Sequence, residues 1–214
     1  MEENKEEIHS ILERIRSNVF FFRSNNQLSD SILDYFTMAS ALFMFGCIHA
    51  DIIVKDDPKH ILNSYLIIAG IMQLGLGIYD WYKGRTLAVL INVSFGLLFI
   101  SWFMKFYYVH IYIDENKKQE EDESYEGIFY IIWVILVLLI IIGVKNKGVI
   151  YSLGYLLIAA GFVFMFICKY AKKGWIEKVY GYIFIISGIL FWAIGLLRFM
   201  NTTIFNKTIQ IVKE

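Results

Sequence analysis

The chain has 214 residues, of which 57% are hydrophobic and only 19% are charged, whereas a soluble domain carries about 25% charged residues. It contains 20 basic and 20 acidic side chains, and this balance argues against nucleic acid binding, which needs a basic surface. The charges are clustered, and between the clusters run apolar stretches of about 18 residues or more, long enough to cross hydrocarbon as helices. The sequence therefore predicts an all-α, polytopic integral membrane protein.

Residues 1–30 are charged and mostly polar, and we predict that they form a cytoplasmic N-terminal segment. Within it, Ile8, Ile11, Leu12 and Ile15 recur at helical spacing between charged residues. This pattern indicates either an amphipathic helix on the membrane surface or, equally, a solvated or partner-bound tail. The segment lacks the features of a signal peptide, so the first apolar stretch is expected to direct the chain to the membrane.

Six transmembrane helices are predicted within a membrane domain that covers residues 31–200, followed by a C-terminal tail at 201–214. Their approximate limits are 32–54, 61–81, 86–109, 127–144, 148–168 and 176–199. Because the connections are short, consecutive helices should run antiparallel. An even number of spans places both termini on one side. The basic residues divide almost evenly between the two sides and slightly favour cytoplasmic termini in a plasma-membrane protein.

The sequence contains none of the common catalytic motifs, such as GxSxG, HExxH or a phosphate-binding glycine loop. We therefore predict that the protein is not an enzyme and needs no cofactor. The four histidines share no ligand spacing, and no metal site is predicted: they are His9, His49, His60 and His110. The five tryptophans are expected mainly in interfacial belts: Trp81, Trp102, Trp133, Trp175 and Trp192.

Polar side chains inside the second and third spans are the main functional signal, because polar groups in lipid are costly and usually face the bundle interior. The second span carries Gln73 and ends at Asp80, and the third carries Asn92 and Ser94. One interpretation is a polar path through the bundle. The other is helix packing, in which the amides bond across an interface and glycines allow close approach, namely Gly70, Gly77 and Gly96.

The second span and the turn after it carry a glycine, a glutamine, another glycine, a carboxylate and a Lys-Gly-x-Thr turn. This pattern falls on Gly70, Gln73, Gly77, Asp80, Lys83, Gly84 and Thr86. It resembles the pattern of the acetate uptake transporter family of bacteria and fungi. Ser94, Phe95 and Gly96 stand where the family has serine, tyrosine and glycine, and Gly181 and Gly188 fit its last span.

This resemblance implies a six-span transporter or channel for a small monocarboxylate such as acetate, moved with a proton or as the neutral acid. It implies a pore lined by the first three spans, with Phe36 and Phe95 as the constriction. Asn92 and Ser94 would supply hydrogen bonds to the solute, and Gln73 would either pack between helices or line the pore. Family members assemble as rings of six. Together with a glycine stripe at Gly181, Gly188 and Gly195, the resemblance predicts a homo-oligomer, with membrane lipid and a carboxylate substrate as the other partners.

The chain departs from the family pattern in its first span. Where members carry Asn-Pro-Ala-Pro-Leu-Gly-Leu, residues 27–36 lack both prolines and the glycine and introduce Asp30 and Asp34, which would repel an anion. Asp80 replaces a glutamate and Arg85 an asparagine. These departures keep a second hypothesis open, in which the protein is a membrane scaffold or sensor that kept the fold and lost the pore.

Overall fold

A computed structural model describes residues 31–52, 58–112, 122–171 and 173–201; the predicted N-terminal helix and most of the C-terminal tail lie outside these ranges. Within them the chain forms six α-helices and no strand, which confirms the all-α architecture. The helices are α1 (Ile32–His49), α2 (Pro58–Tyr82), α3 (Thr86–Tyr112), α4 (Asp122–Val144), α5 (Val149–Ala171) and α6 (Gly174–Met200).

Five of the helices, all except α2, are long and apolar enough to cross a membrane. The remaining helix, α2, has 25 residues and carries Gln73 and Asp80 within its apolar sequence. It packs against both α1 and α3, which are themselves candidate spans. The protein is therefore an integral membrane protein built on a six-helix bundle.

The helix ends follow local backbone chemistry. α1 stops at His49, before the predicted limit at residue 54, and Asp51 just after it adopts a left-handed conformation with φ 56°. α2 begins at Pro58, a favoured first position because the fixed φ of proline suits a helix and its missing N–H is not needed there. The tight turns before α3 and α5 use Gly84 at φ 70° and Gly148 at φ 140°, values that other residues rarely adopt.

The most extensive helix contacts join α1 to α6 and α2 to α3. Glycines bring α1 and α6 together, since a methyl group on Gly181 would lie 2.5 Å from the Ala50 amide nitrogen. A methyl group on Gly188 would lie 2.8 Å from the Ala39 carbonyl oxygen. The stripe at Gly181, Gly188 and Gly195 thus packs against α1 of the same chain. It gives no support to an oligomer, which stays a prediction.

Aromatic rings fill the centre of the bundle. Phe45 of α1 stacks on Trp102 of α3 with ring centroids 4.0 Å apart, and Trp133 of α4 stacks on Phe162 of α5 at 5.9 Å. The expected interfacial position is therefore wrong for Trp102 and Trp133, which are buried. It is also wrong for Trp192, which is half-buried and donates to Ser40 Oγ. These three residues lie away from the ends of their helices, and their rings fill volume that small aliphatic side chains would leave empty.

Trp81 and Trp175 differ from the other tryptophans. They lie near the end of α2 and the start of α6, and both are strongly exposed. That is the position expected of interfacial rings, which anchor helix ends at the level of the lipid headgroups.

The α1–α6 contact yields a stability prediction. Gly188→Leu should lower the free energy of unfolding by about 1–3 kcal/mol, because the new side chain meets main-chain atoms of Ala39 and Phe43 that cannot move aside. The matched control is Gly75→Leu, since a methyl group on Gly75 in the middle of α2 meets no atom within 4 Å. Thermal unfolding in detergent gives the measurement. Equal losses in the two variants would contradict a packing role for Gly188.

Candidate functional site

One buried face of α2 carries the polar residues of the motif. Gln73, Gly77 and Asp80 are spaced by four and three residues, so they share a face of the helix, and all three are buried. Gly77 allows α3 to approach, since a methyl group there would lie 2.8 Å from Val93 Cγ2. The Gln73 and Asp80 side chains consequently lie between α2 and its two neighbours.

Gln73 connects α2 to α1. Its Nε2 donates to the Asp34 main-chain oxygen at 3.0 Å and to Thr37 Oγ1 at 2.8 Å. The Thr37 hydroxyl in turn donates to the Leu33 carbonyl at 2.8 Å, which leaves its oxygen free to accept from Gln73. Both donor hydrogens of the Gln73 amide are thereby engaged on α1, while its Oε1 is buried and has no hydrogen-bond partner in the described residues.

Asp80 connects α2 to α3 and to the turn between them. Asn92 Nδ2 donates to Asp80 Oδ2 at 2.8 Å, and Arg85 Nη1 lies 3.3 Å from Asp80 Oδ1. The Asp80 side chain is fully buried and that of Arg85 is 14% exposed. Asp80 and Arg85 are the two positions at which this turn departs from the family pattern, and in the structure they neutralise each other.

Three buried side-chain oxygens around this cluster have no hydrogen-bond partner among the described residues: Asp34 Oδ1, Gln73 Oε1 and Asn92 Oδ1. All three are acceptors when the carboxyl group is ionised. Buried acceptors without partners are rare and call for an explanation. The arrangement can accept hydrogen bonds from a solute that carries a donor.

The buried face of α3 changes from polar to aromatic along its length. Asn92 is followed on this face by Phe95, Phe99 and Trp102, all buried. The Phe95 ring centroid lies 6.1 Å from that of Phe99 and 6.2 Å from that of Tyr155 on α5. The interior beyond the polar cluster is therefore closed by packed rings.

The predicted pathway residues fall into two groups. Gln73 and Asn92 belong to the polar cluster, and Ser94 and Phe95 are buried next to it on α3. Phe36 is half-buried and faces α6, where its ring lies 3.3 Å from a methyl group placed on Gly195. Within the described ranges the Phe95 ring contacts are with other residues, so the structure does not bring Phe36 and Phe95 into ring contact.

The motif residues hold the helices in place. A methyl group on Gly70 would lie 3.0 Å from the Gly96 carbonyl oxygen, and one on Gly96 would lie 3.0 Å from that of Gly70. Gly84 makes the turn, and Thr86 is the exposed first residue of α3.

The structure adds residues to the cluster that the sequence did not single out as a site: Asp34, Thr37 and Arg85. Two features of the sequence could have identified the pair on α1. Asp34 is an ionisable residue inside a predicted span. Thr37 lies three residues later and so occupies a neighbouring position on the same helix face.

A second cluster of polar side chains lies where the C-terminal end of α1 meets the first turns of α6. His49 Nδ1 lies 2.8 Å from Glu177 Oε1 and 2.9 Å from the Tyr180 hydroxyl, and Lys178 pairs with Asp51 at 3.2 Å. In the part of the chain that the structure describes, no three His, Cys, Asp or Glu side chains form a group suited to a metal ion. The contacts of His49 with Glu177 and Tyr180 connect α1 to α6.

The fold and the buried cluster define a six-helix integral membrane protein with polar side chains enclosed among its first three helices. Residues 25–212 match the GPR1/FUN34/yaaH family, and the chain belongs to that family. This membership confirms the resemblance to acetate transporters inferred from the α2 motif.

Among solved structures, the chain is similar to the bacterial acetate channel SatP. The TM-score is 0.73 over 83% of this chain and 96% of that chain. The sequence identity is 15%, so the likeness establishes the fold alone. A comparison with curated protein sequences finds no match.

Proposed function

We propose that the protein is a transporter or channel for small monocarboxylates such as acetate. Two amide oxygens buried in the bundle, Gln73 Oε1 and Asn92 Oδ1, carry this proposal. Unsatisfied polar groups in a membrane interior are costly, so their presence usually marks a functional site. Membership of the GPR1/FUN34/yaaH family and the fold shared with a bacterial acetate channel support the same substrate class.

The proposed path runs among α1, α2 and α3 and includes Gln73, Asn92, Ser94 and Phe95. Phe36, the other residue predicted for the constriction, lies on the side of α1 that faces α6. A solute would meet the amide oxygens first and the aromatic rings of α3 next. Both features favour the neutral acid, since its O–H can donate to an amide oxygen and it crosses an apolar constriction without giving up the hydration of an ion. Movement of the Phe95 ring would open the path.

The setting is proposed along with the function. We place the protein in the plasma membrane with both termini cytoplasmic, as a non-enzymatic homo-oligomer of six copies. The basis is the family to which the chain belongs, together with the even number of helices in the bundle.

The direct test is the flux of labelled acetate into proteoliposomes that contain the purified protein, compared with protein-free vesicles. We expect uptake above that of the empty vesicles, and more uptake at low external pH, where more of the acid is neutral. Absence of carboxylate flux at every pH would remove the transporter proposal, and the scaffold or sensor hypothesis would replace it.

The site is tested by Asn92→Leu. Loss of one hydrogen bond to the passing carboxyl group should reduce flux per folded protein by about ten- to a hundredfold, which corresponds to roughly 1–3 kcal/mol. The control is Ser101→Ala on the same helix, because the Ser101 hydroxyl donates only to its own helix at Leu97. Because Asn92 also holds Asp80, flux is normalised to the folded fraction. An unchanged normalised flux would exclude Asn92 from the path.

A further inference from the structure

Asp34 is a carboxyl group inside a membrane span, and no basic side chain among the described residues forms an ion pair with it. It lies in the first turn of α1, the residue is 4% exposed, and its Oδ1 has no hydrogen-bond partner in the part of the chain that the structure describes. An ionised carboxylate in this position would be a buried, uncompensated charge, which proteins avoid.

Asp80 provides the comparison within the same cluster. It is as deeply buried as Asp34, but one oxygen faces Arg85 and the other accepts from Asn92. The Asp80 carboxyl group is therefore paired with a cation inside the bundle. Among the described residues no basic side chain forms an ion pair with Asp34, so a proton is the simplest group that removes its charge.

The position of Gln73 supports this reasoning. Its amide already touches Asp34 through the main-chain carbonyl, and its own Oε1 is an acceptor without a partner. A proton on Asp34 removes the buried charge and makes its carboxyl group a donor, which is the kind of partner that Gln73 Oε1 lacks among the described residues.

We propose that Asp34 is a proton-binding residue of the α1–α2–α3 cluster, and that this proton must be present for a carboxyl solute to enter. Release of the proton to water leaves the Asp34 carboxylate, whose negative charge repels a carboxylate solute. The second half of this statement rests on the proposed transport function, whereas proton binding itself does not.

The groups around Asp34 set the field in which it binds a proton. The charged side chains that face it are Asp80 of α2 and Arg198 of α6. The Arg198 guanidinium is engaged with two tyrosines, since its Nε donates to the Tyr151 hydroxyl at 3.0 Å and it lies 5.1 Å from the Tyr35 ring centroid. The titratable group that α5 contributes near Asp34 is Tyr155, and α3 contributes Asn92, which has no ionisable group.

The first experiment detects the proton without using transport. Infrared spectra of the purified protein at neutral pH, wild type minus Asp34→Asn, should contain the C=O stretching band of a protonated carboxylic acid. Asp51→Asn is the matched control, because Asp51 is exposed and pairs with Lys178 outside the cluster, and it should leave that band in place. If Asp34→Asn does not fold, carboxyl-¹³C aspartate labelling of the wild type should shift the band. Absence of a protonated aspartate band would overturn the proposal.

The second experiment connects the proton to entry of the solute. In proteoliposomes, acetate flux is measured for wild type and Asp34→Asn from acid to alkaline pH. The ratio of Asp34→Asn flux to wild-type flux should rise with pH, by about tenfold for each pH unit above the point at which Asp34 ionises. A constant ratio would overturn the requirement for the proton. An infrared band without flux in either protein would leave Asp34 as a proton-binding residue and contradict the transport function.

Discussion

Arg85→Met should lower the free energy of unfolding by about 3–5 kcal/mol, because it leaves the Asp80 carboxylate buried without its cation. Asp80 is fully buried, and Arg85 Nη1 is the cationic group at 3.3 Å from its Oδ1. Asn92 would remain as a hydrogen-bond donor but carries no charge. We expect most of the variant to be unfolded or aggregated in detergent under conditions in which the wild type is intact.

The control for Arg85 comes from the same turn. Lys83→Met removes an exposed cation whose Nζ lies 5.6 Å from the Tyr79 ring centroid, and it should cost less than about 1 kcal/mol. The double variant Asp80→Asn with Arg85→Met should recover much of the lost stability, because it leaves no unpaired charge. Denaturation titrations in mixed detergent give the measurement. Equal effects of Arg85→Met and Lys83→Met would contradict a structural ion pair.

Phe95→Ala should also destabilise the protein by about 3–5 kcal/mol, the usual loss when a buried phenylalanine is removed from a packed core. The Phe95 ring is fully buried among Phe99, Trp133 and Tyr155, and its removal leaves a cavity that these large rings cannot fill. Leu97→Ala on the exposed face of α3 is the control and should have a small effect.

Phe95 also tests the proposed constriction. In the fraction of Phe95→Ala that folds, flux of a longer carboxylate such as butyrate should rise relative to that of acetate, because the passage beside α3 widens. Phe95→Leu, which keeps more of the volume, should give a smaller change in the same direction. If stability falls and the ratio of butyrate to acetate flux stays constant, Phe95 is a core residue only.

The sequence alone determined the helices and the turns of this protein. Six apolar stretches of sufficient length predict six helices wherever they sit in the bundle, and Gly84 supplies locally the left-handed turn before α3. The family pattern is equally local, since the spacing from Gln73 to Asp80 places both side chains on one face of α2. These features need no knowledge of neighbouring helices.

Only the tertiary structure decided which faces meet. Apolar residues occupy all faces of most spans. Hydrophobicity therefore could not distinguish the buried rings of Trp102 and Trp133 from the exposed rings of Trp81 and Trp175. The glycine stripe of α6 predicted a close contact, but its partner could have been another copy, and the structure assigns it to α1.

The polar cluster was decided in the same way. Asp34 and Gln73 are far apart in the chain, and whether they meet depends on how α1 rotates against α2. The sequence marked each polar residue as costly in lipid. The packing then determined that Asp80 forms an ion pair with Arg85, whereas no described side chain forms one with Asp34. Ion pairing depends on distances across helices that a linear spacing does not contain.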